Sequence, residues 1–481
     1  MCLPEGLEKA RLVRWIDFSR IIATFVGCSV KTTDVNIFYL AFKGYIRFMT
    51  NVLYYKKTFC VGRENVPENG TPVLIASNHQ NALNDALGIL LRINDRKVHF
   101  IVRANVFLLG KAANKFLRSI GLLPAFRMSH EGLEAVGNNG ATFRDSEKEL
   151  VDGNTVVIYP EAGHQWIHHL GTYSFGYTRM AFEAAEMADF KKEVFILPAC
   201  NHYSKYFDYK TSLMIRFGTP ISLAPYYELY KVKPRTAQRE VNKLVREQVS
   251  SMMLNVEDVE HYEIIDYLRT SEYADKFAAE QGVKKDDLPA RLESDKKIVA
   301  SLAAADTEKL YEDTGKVLDF IKKKKFEDIS LAKKSSALSV VLRFIGLLLL
   351  SPLALACVWP SVPVWIIPRR LQQKTEDPMY CGSFLIAVTV LFTFPIFGLI
   401  TLLAVGFGLS FLGAAISWPI AVAYVLLFPA IGMFEWTWCY WCRELFRDMR
   451  ARKALRSEEG KSMMALRKDI FERMDKICKS E

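Results

Sequence analysis

The sequence predicts an α/β protein: a mostly parallel sheet flanked by helices, with N-terminal amphipathic helices, a helical extension and C-terminal membrane helices. Three observations predict it. Between residues 57 and 230, short apolar runs (71–76, 98–102, 155–159, 194–199 and 213–217) alternate with helical patterns such as 143–151 and 179–188. That alternation is how a parallel sheet covered by helices is written. Residues 231–335 turn polar, with apolar residues at helical spacing, as in 236–253. Residues 337–367 and 384–433 are then apolar enough to enter a membrane.

The expected parts follow in chain order. Residues 1–56 read as interfacial helices. Phe38 to Phe42 and Tyr45 to Met49 interleave with Lys43, Arg47, Lys56 and Lys57, the mixture of an interfacial anchor or of a helix packed on its own domain. The apolar run Ile21 to Val30 follows Glu5, Glu8 and Asp17 and lacks a small-residue cleavage pattern, so no secretory signal is expected. Residues 57–230 form the α/β domain and 231–335 the helical polar region. The run Lys322 to Lys325 in that region reads as a solvated face, with a phospholipid contact as the alternative. Residues 336–436 hold the membrane-embedded segments, and 437–481 a basic amphipathic tail.

The second apolar segment, 384–433, has no charged residue and is long enough for two spans, with Gly406-Phe407-Gly408 near the turn. The first contains Pro352, Pro360, Pro363 and Arg343. Lys333 and Lys334, then Arg369, Arg370 and Lys374, then Arg443, Arg447, Arg450 and Arg452 flank the two. All the flanks are basic, so they are expected on one face: 337–367 enters and returns, and 384–433 is a hairpin. Three plain spans is the rival arrangement.

Composition narrows the function classes. Half of the 481 residues are apolar, which suits a packed core. The net charge of +10 suits nucleic acid, anionic lipid or phosphorylated substrates. No zinc-finger spacing or RNA-binding signature is present, and the apolar C-terminal third points to lipid; no nucleic-acid partner is expected. The nine cysteines have no paired spacing beyond Cys439-Tyr-Trp-Cys442, so reduced thiols and a cytosol-facing catalytic part are expected. His164, His168 and His169 include an i, i+4 pair but no third ligand, so no metal is expected.

The chemistry concentrates in Asn78-His79-Gln80-Asn81-Ala82-Leu83-Asn84-Asp85, between a strand and a helix. An imidazole can take a proton from a hydroxyl near neutral pH, and a carboxylate beside it fixes its tautomer. A helix N-cap beside a surface histidine would leave the same pattern. Three more strand ends carry polar or small residues: Gly121 to Arg127, Tyr159-Pro160-Glu161-Ala162-Gly163-His164, and Val194 to Ala199 with Pro198. Arg103, after the run 98–102, is either a phosphate contact or a surface cap.

In that order and spacing these four blocks resemble the glycerol-phosphate and lysophosphatidic acid acyltransferase family, over about residues 35–225. Ile215 to Ile221 is also similar to it. The resemblance implies that His79 is the general base and that Asp85 orients it. The acceptor oxygen would attack an acyl thioester directly, with no acyl-enzyme. Arg127 would bind the acceptor phosphate, where a planar guanidinium suits a bidentate contact; Arg103 is a further candidate for that phosphate. Glu161 and Gly163 would shape the acceptor site, and Pro198 belongs to a block linked to the acyl donor.

Two positions depart from the common pattern. Five residues separate His79 from Asp85 where four are usual, with Asn84 where the acid would fall; fungal-type glycerol-phosphate acyltransferases also show five. His164 stands where a basic residue usually completes the third block. The implied function is membrane-bound acyl transfer to 1-acyl-glycerol-3-phosphate or glycerol-3-phosphate, with dihydroxyacetone phosphate a further acceptor. The partners would be a phospholipid membrane, an acyl-CoA or acyl carrier protein thioester and the phosphorylated glycerol, with no cofactor and the catalytic domain at the cytosolic face. A non-enzymatic membrane-shaping or scaffold protein is the alternative. A transporter fits less well, because 384–433 carries no charge.

Overall fold

Strand β2 (Val73–Ser77) is buried along its whole length, and its side chains divide between two cores. Val73 and Ile75 enter one cluster, Leu74 and Ala76 the other. A strand that alternates between two cores must have helices on both faces, which is how the rest of the sheet is arranged. The computed structural model describes residues 37–103, 107, 110–125, 143–161, 163, 166–206, 208–333, 335–374 and 388–479.

Among these residues the strands are β1 (Tyr55–Val61), β2, β3 (Val98–Arg103), β4 (Leu122–Ala125), β5 (Thr155–Ile158), β6 (Phe195–Tyr203), β7 (Thr211–Phe217) and β8 (Ile221–Ser222). Their order across the sheet is β1-β7-β6-β2-β5-β3-β4, with β8 beside β6. The β1/β7, β2/β5, β2/β6, β3/β4 and β3/β5 pairs are parallel; β6 is antiparallel to β7 and β8. The sheet is therefore mixed but mostly parallel. Strand β1 lies in a stretch whose Lys56 and Lys57 broke the apolar signal; as an edge strand it needs no continuous apolar run.

The helices are α1 (Ile37–Met49), α2 (Leu83–Leu90), α3 (Lys111–Ser119) and α4 (Gly176–Met187), then α5 (Tyr227–Val232) and α6 (Pro234–Met252). The helical layer continues with α7 (Tyr262–Thr270), α8 (Glu272–Glu280), α9 (Leu288–Ala304), α10 (Glu308–Lys324) and α11 (Asp328–Ala332). The apolar helices are α12 (Ala337–Lys374), α13 (Phe394–Phe411) and α14 (Ser417–Ala454), and α15 (Glu458–Lys479) closes the described chain. Residues 143–151 are also helical.

Helix α1 packs on the domain. Lys43 is fully buried and donates to the Ile93 carbonyl, while Arg47 donates to the Leu91 carbonyl and Asn94. Its two cations thus bind the carbonyls that follow α2, where positive charge is favoured. Three lysines of the Lys322 to Lys325 run are paired within the protein: Lys322 with Glu263, Lys323 and Lys324 with Glu459. Helices α7 to α11 form their own core with α15, crossed by a buried fork in which Arg467 reaches both oxygens of Asp328 and also Glu272.

Among the described residues three helices are long and apolar enough to cross a membrane: Ala337–Cys357 within α12, Phe394–Phe411 and Ser417–Ala454. The first apolar segment is one helix that runs through Pro352, Pro360 and Pro363. The second is a helical hairpin, but its turn lies between Phe411 and Ser417, later than Gly406 to Gly408. Gly413 (φ +79°) ends α13, with Ala414 N–H reaching the Leu409 carbonyl, a left-handed helix end that glycine favours. Gly406 serves packing instead: a Cβ there would lie 2.6 Å from the Trp418 ring.

Gly153 controls how β5 enters the sheet. Its φ is +82°, and a Cβ would fall 2.3 Å from the Gly70 carbonyl oxygen, a backbone atom that cannot give way. The Gly153→Ala variant should lose about 1–3 kcal/mol from the backbone strain and more from the clash, read as a lower midpoint of chemical denaturation.

Candidate active site

The site lies at the C-terminal ends of β2, β5 and β6, the edge where parallel sheets present their loops. The chain leaves β2 at Ser77 and turns tightly before α2. Ala82, just before the helix, has φ +43°, a strained conformation for a residue with a Cβ. The turn aims three groups at one carboxylate oxygen. Asp85 Oδ2 accepts from His79 Nδ1 and from the backbone N–H groups of Gln80 and Asn81, each at 2.9 Å. The Tyr203 hydroxyl donates to Asp85 Oδ1 at 2.7 Å. Asp85 is fully buried, so its charge is held by these four donors.

The pairing settles the spacing question. Asn84 turns the other way: its Oδ1 accepts from Tyr55 OH at 3.2 Å and its Nδ2 donates to Asn81 at 3.0 Å. The carboxylate accepts from Nδ1–H, so the His79 lone pair lies on Nε2. The His79 side chain keeps 14% of its surface exposed, and its ring stacks on Tyr159 with centroids 4.0 Å apart.

Glu161 works from behind. Oε1 accepts the His79 backbone N–H at 2.7 Å, and Oε2 the Gly171 N–H at 2.9 Å. Both oxygens are thus engaged with backbone, so this carboxylate shapes the site by fixing the His79 turn against the loop after β5. Burial pushes its pKa up from 4.5 to about 7, opposed by the two N–H donors and reinforced by the Asp85 charge. Gly163 lies in the same loop, 4.0 Å from the Glu161 carbonyl at its would-be Cβ. Arg103 ends β3 beside Ala125. Arg127 and His164 lie outside the described residues.

A second ring of groups stands behind these, in which sequence reasoning did not single out Tyr203 and Tyr206. Asn78 exchanges two hydrogen bonds with the Asn201 backbone, at 3.0 and 2.7 Å, and so ties the end of β2 to β6. Tyr206 OH lies 2.8 Å from both Gln80 Oε1 and His168 Nδ1. His168 packs on His202 at 5.1 Å, and burial pushes both imidazoles down, His202 to about 3. They are neutral packing and hydrogen-bonding groups. The alternation of β6 placed Tyr203 and Asn201 on one face, a signal available in the sequence. Pro198 is buried in the same strand opposite Ala76. Among the described residues no group of His, Cys, Asp or Glu could hold a metal ion.

Residues 57–202, which contain the β2 turn, the Glu161 loop and β6, match the acyltransferase family. No curated protein matches the chain. Among solved structures it is similar to the 1-acyl-sn-glycerophosphate (LPA) acyltransferase PlsC from Thermotoga maritima, at 16% identity over 48% of this chain and 90% of that one. The TM-score of 0.27 is too low for that likeness to carry an argument.

The raised Glu161 pKa gives its contribution to stability a definite sign. Between pH 4.5 and about 7 the folded state keeps a proton that the unfolded chain has released. Stability from this group therefore falls as pH rises through that interval. Denaturation midpoints across it should show that downward component in the wild type and not in Glu161→Gln.

Proposed function

We propose that the protein transfers an acyl group from a thioester to a hydroxyl of a glycerol-phosphate acceptor, 1-acyl-glycerol-3-phosphate or glycerol-3-phosphate, in phospholipid synthesis at a membrane. The observation that carries this reading is the His79–Asp85 pair at the sheet's C-terminal edge. His79 Nε2 takes the proton as the acceptor oxygen bonds to the thioester carbonyl carbon. The imidazolium that forms is stabilised by the Asp85 carboxylate. The tetrahedral intermediate then collapses, the C–S bond breaks, and the proton passes from His79 to the departing thiolate. A thioester is already activated, so one base and positioning can suffice. Arg127, with Arg103, is the proposed contact for the acceptor phosphate. The donor is an acyl-CoA or acyl carrier protein thioester, and the catalytic domain faces the cytosol.

Purified protein supplied with a palmitoyl thioester and, in turn, each phosphorylated acceptor tests this. Product should form with a glycerol-phosphate acceptor, and His79→Ala should lower the rate by about 10²–10⁴-fold while membrane binding is kept. Asp85→Asn should fall in the same direction, because the amide can donate to Nδ1 and favour the wrong tautomer. Undiminished transfer by His79→Ala would exclude His79 as the base, and no transfer by the wild type to any of the acceptors would leave the scaffold reading.

A further inference from the structure

Helix α12 is about 57 Å long, from 38 residues at ~1.5 Å each. Length and composition would let its first half cross a bilayer. Its contacts do not fit a crossing. At its start, Arg343 pairs with buried Asp448 of α14 at 2.7 Å, and Lys333 with Glu444 at 3.1 Å. That part of α14 is seated in the helical layer: Arg447 pairs with Glu327, and Ala451 and Ala454 join the core of α7 to α11.

At the other end of α12, Arg369 pairs with Asp208 at 3.2 Å and lies over the Tyr209 ring. Trp365 packs edge-on against Tyr209 at 4.7 Å and donates to the Gly432 carbonyl at 3.0 Å. Val364 and Trp365 belong to the core on one face of the sheet. The helical layer and the sheet are themselves packed together, through Met214 in the helical core and the Arg216–Glu293 and Lys56–Asp286 ion pairs. A crossing would put the two ends of α12 on opposite sides of the bilayer, and with them two halves of one packed, charged body.

We propose that α12 does not cross the bilayer: it and the second half of α14 lie in one leaflet beneath the body, with neither end of α12 reaching the far side. The outward surface fits a lipid leaflet. Leu338, Leu342, Ile345, Leu349 and Leu353 form an exposed apolar stripe along α12. On α14 the exposed positions mix apolar and basic groups, with Trp441, Phe446 and Met449 beside Arg443 and Arg450. That mixture belongs at the boundary between headgroups and acyl chains. Lys325, Arg443, Arg447 and Arg450 also line a cleft with Phe326 and Phe446, which gives the rim positive charge for anionic headgroups. The α13–α14 hairpin, uncharged from Phe394 to Phe434, begins and ends against one core, through Phe394 and Met433, so it enters the bilayer and returns to the same side.

The inference is independent of the acyl-transfer reading, and its test measures no activity. Full-length protein is made with an amino acid bearing a nitrobenzoxadiazole dye in place of Ala337 or, separately, Arg370, both exposed. Each protein is bound from outside to sealed vesicles of phosphatidylcholine and phosphatidylglycerol, and membrane-impermeant dithionite is added outside. Both dyes should be bleached before the vesicles are opened. Protection of either one until detergent is added overturns the proposal.

Discussion

A buried carboxylate has to find donors, and the Asp85 charge organises the turn around it. Two backbone N–H groups, a tyrosine hydroxyl and the His79 imidazole converge on it. To deliver Gln80 N–H and Asn81 N–H the chain must double back before α2, and the strained Ala82 backbone is where it does so. Strain of about 1–3 kcal/mol is tolerable there, because leaving such a charge unpaired would cost several. The same geometry decides which imidazole nitrogen points away. Glu161 adds a second tie, from the opposite side, through the backbone of His79 itself.

The sheet supplies the rigidity behind these contacts. Strand β2 is central, buried on both faces, and parallel to β5 and β6 over most of its length. His79, Glu161 and Tyr203 follow or end those three strands. Their spacing is thus set by the fixed separation of neighbouring strands. Asn78 and Asn201 lock the β2 and β6 ends together at the point where the ladder gives out.

Much of this was legible in the sequence. The apolar runs 71–76, 98–102 and 155–159 announced strands because each feeds side chains to both cores. Strand β1 was not, because an edge strand carrying Lys56 and Lys57 has no apolar period to read. The His79–Asp85 pair was legible as a motif, although the extra residue between them made Asn84 a rival. Only three-dimensional packing shows that Asn84 turns to Tyr55. The role of Glu161 was less accessible, since its partners are backbone groups, which leave no mark on residue identity. Lys43 and Arg47 left two readings open for a related reason: a cation on an apolar helix suits a headgroup or a backbone carbonyl, and only packing shows the carbonyls after α2 as their partners. The hairpin turn was displaced because Gly406 answered to the Trp418 ring, while Gly413 answered to the backbone.

The connection between β6 and β7 touches two distant parts of the molecule. Tyr206 reaches inward to Gln80, next to His79, while Tyr209 and Asp208 reach outward to Thr389, Trp365 and Arg369 of the apolar helices. The chemistry and the oily layer therefore share one short strap. A displacement of those helices would therefore bear on the same few residues that hold Gln80, the neighbour of the imidazole.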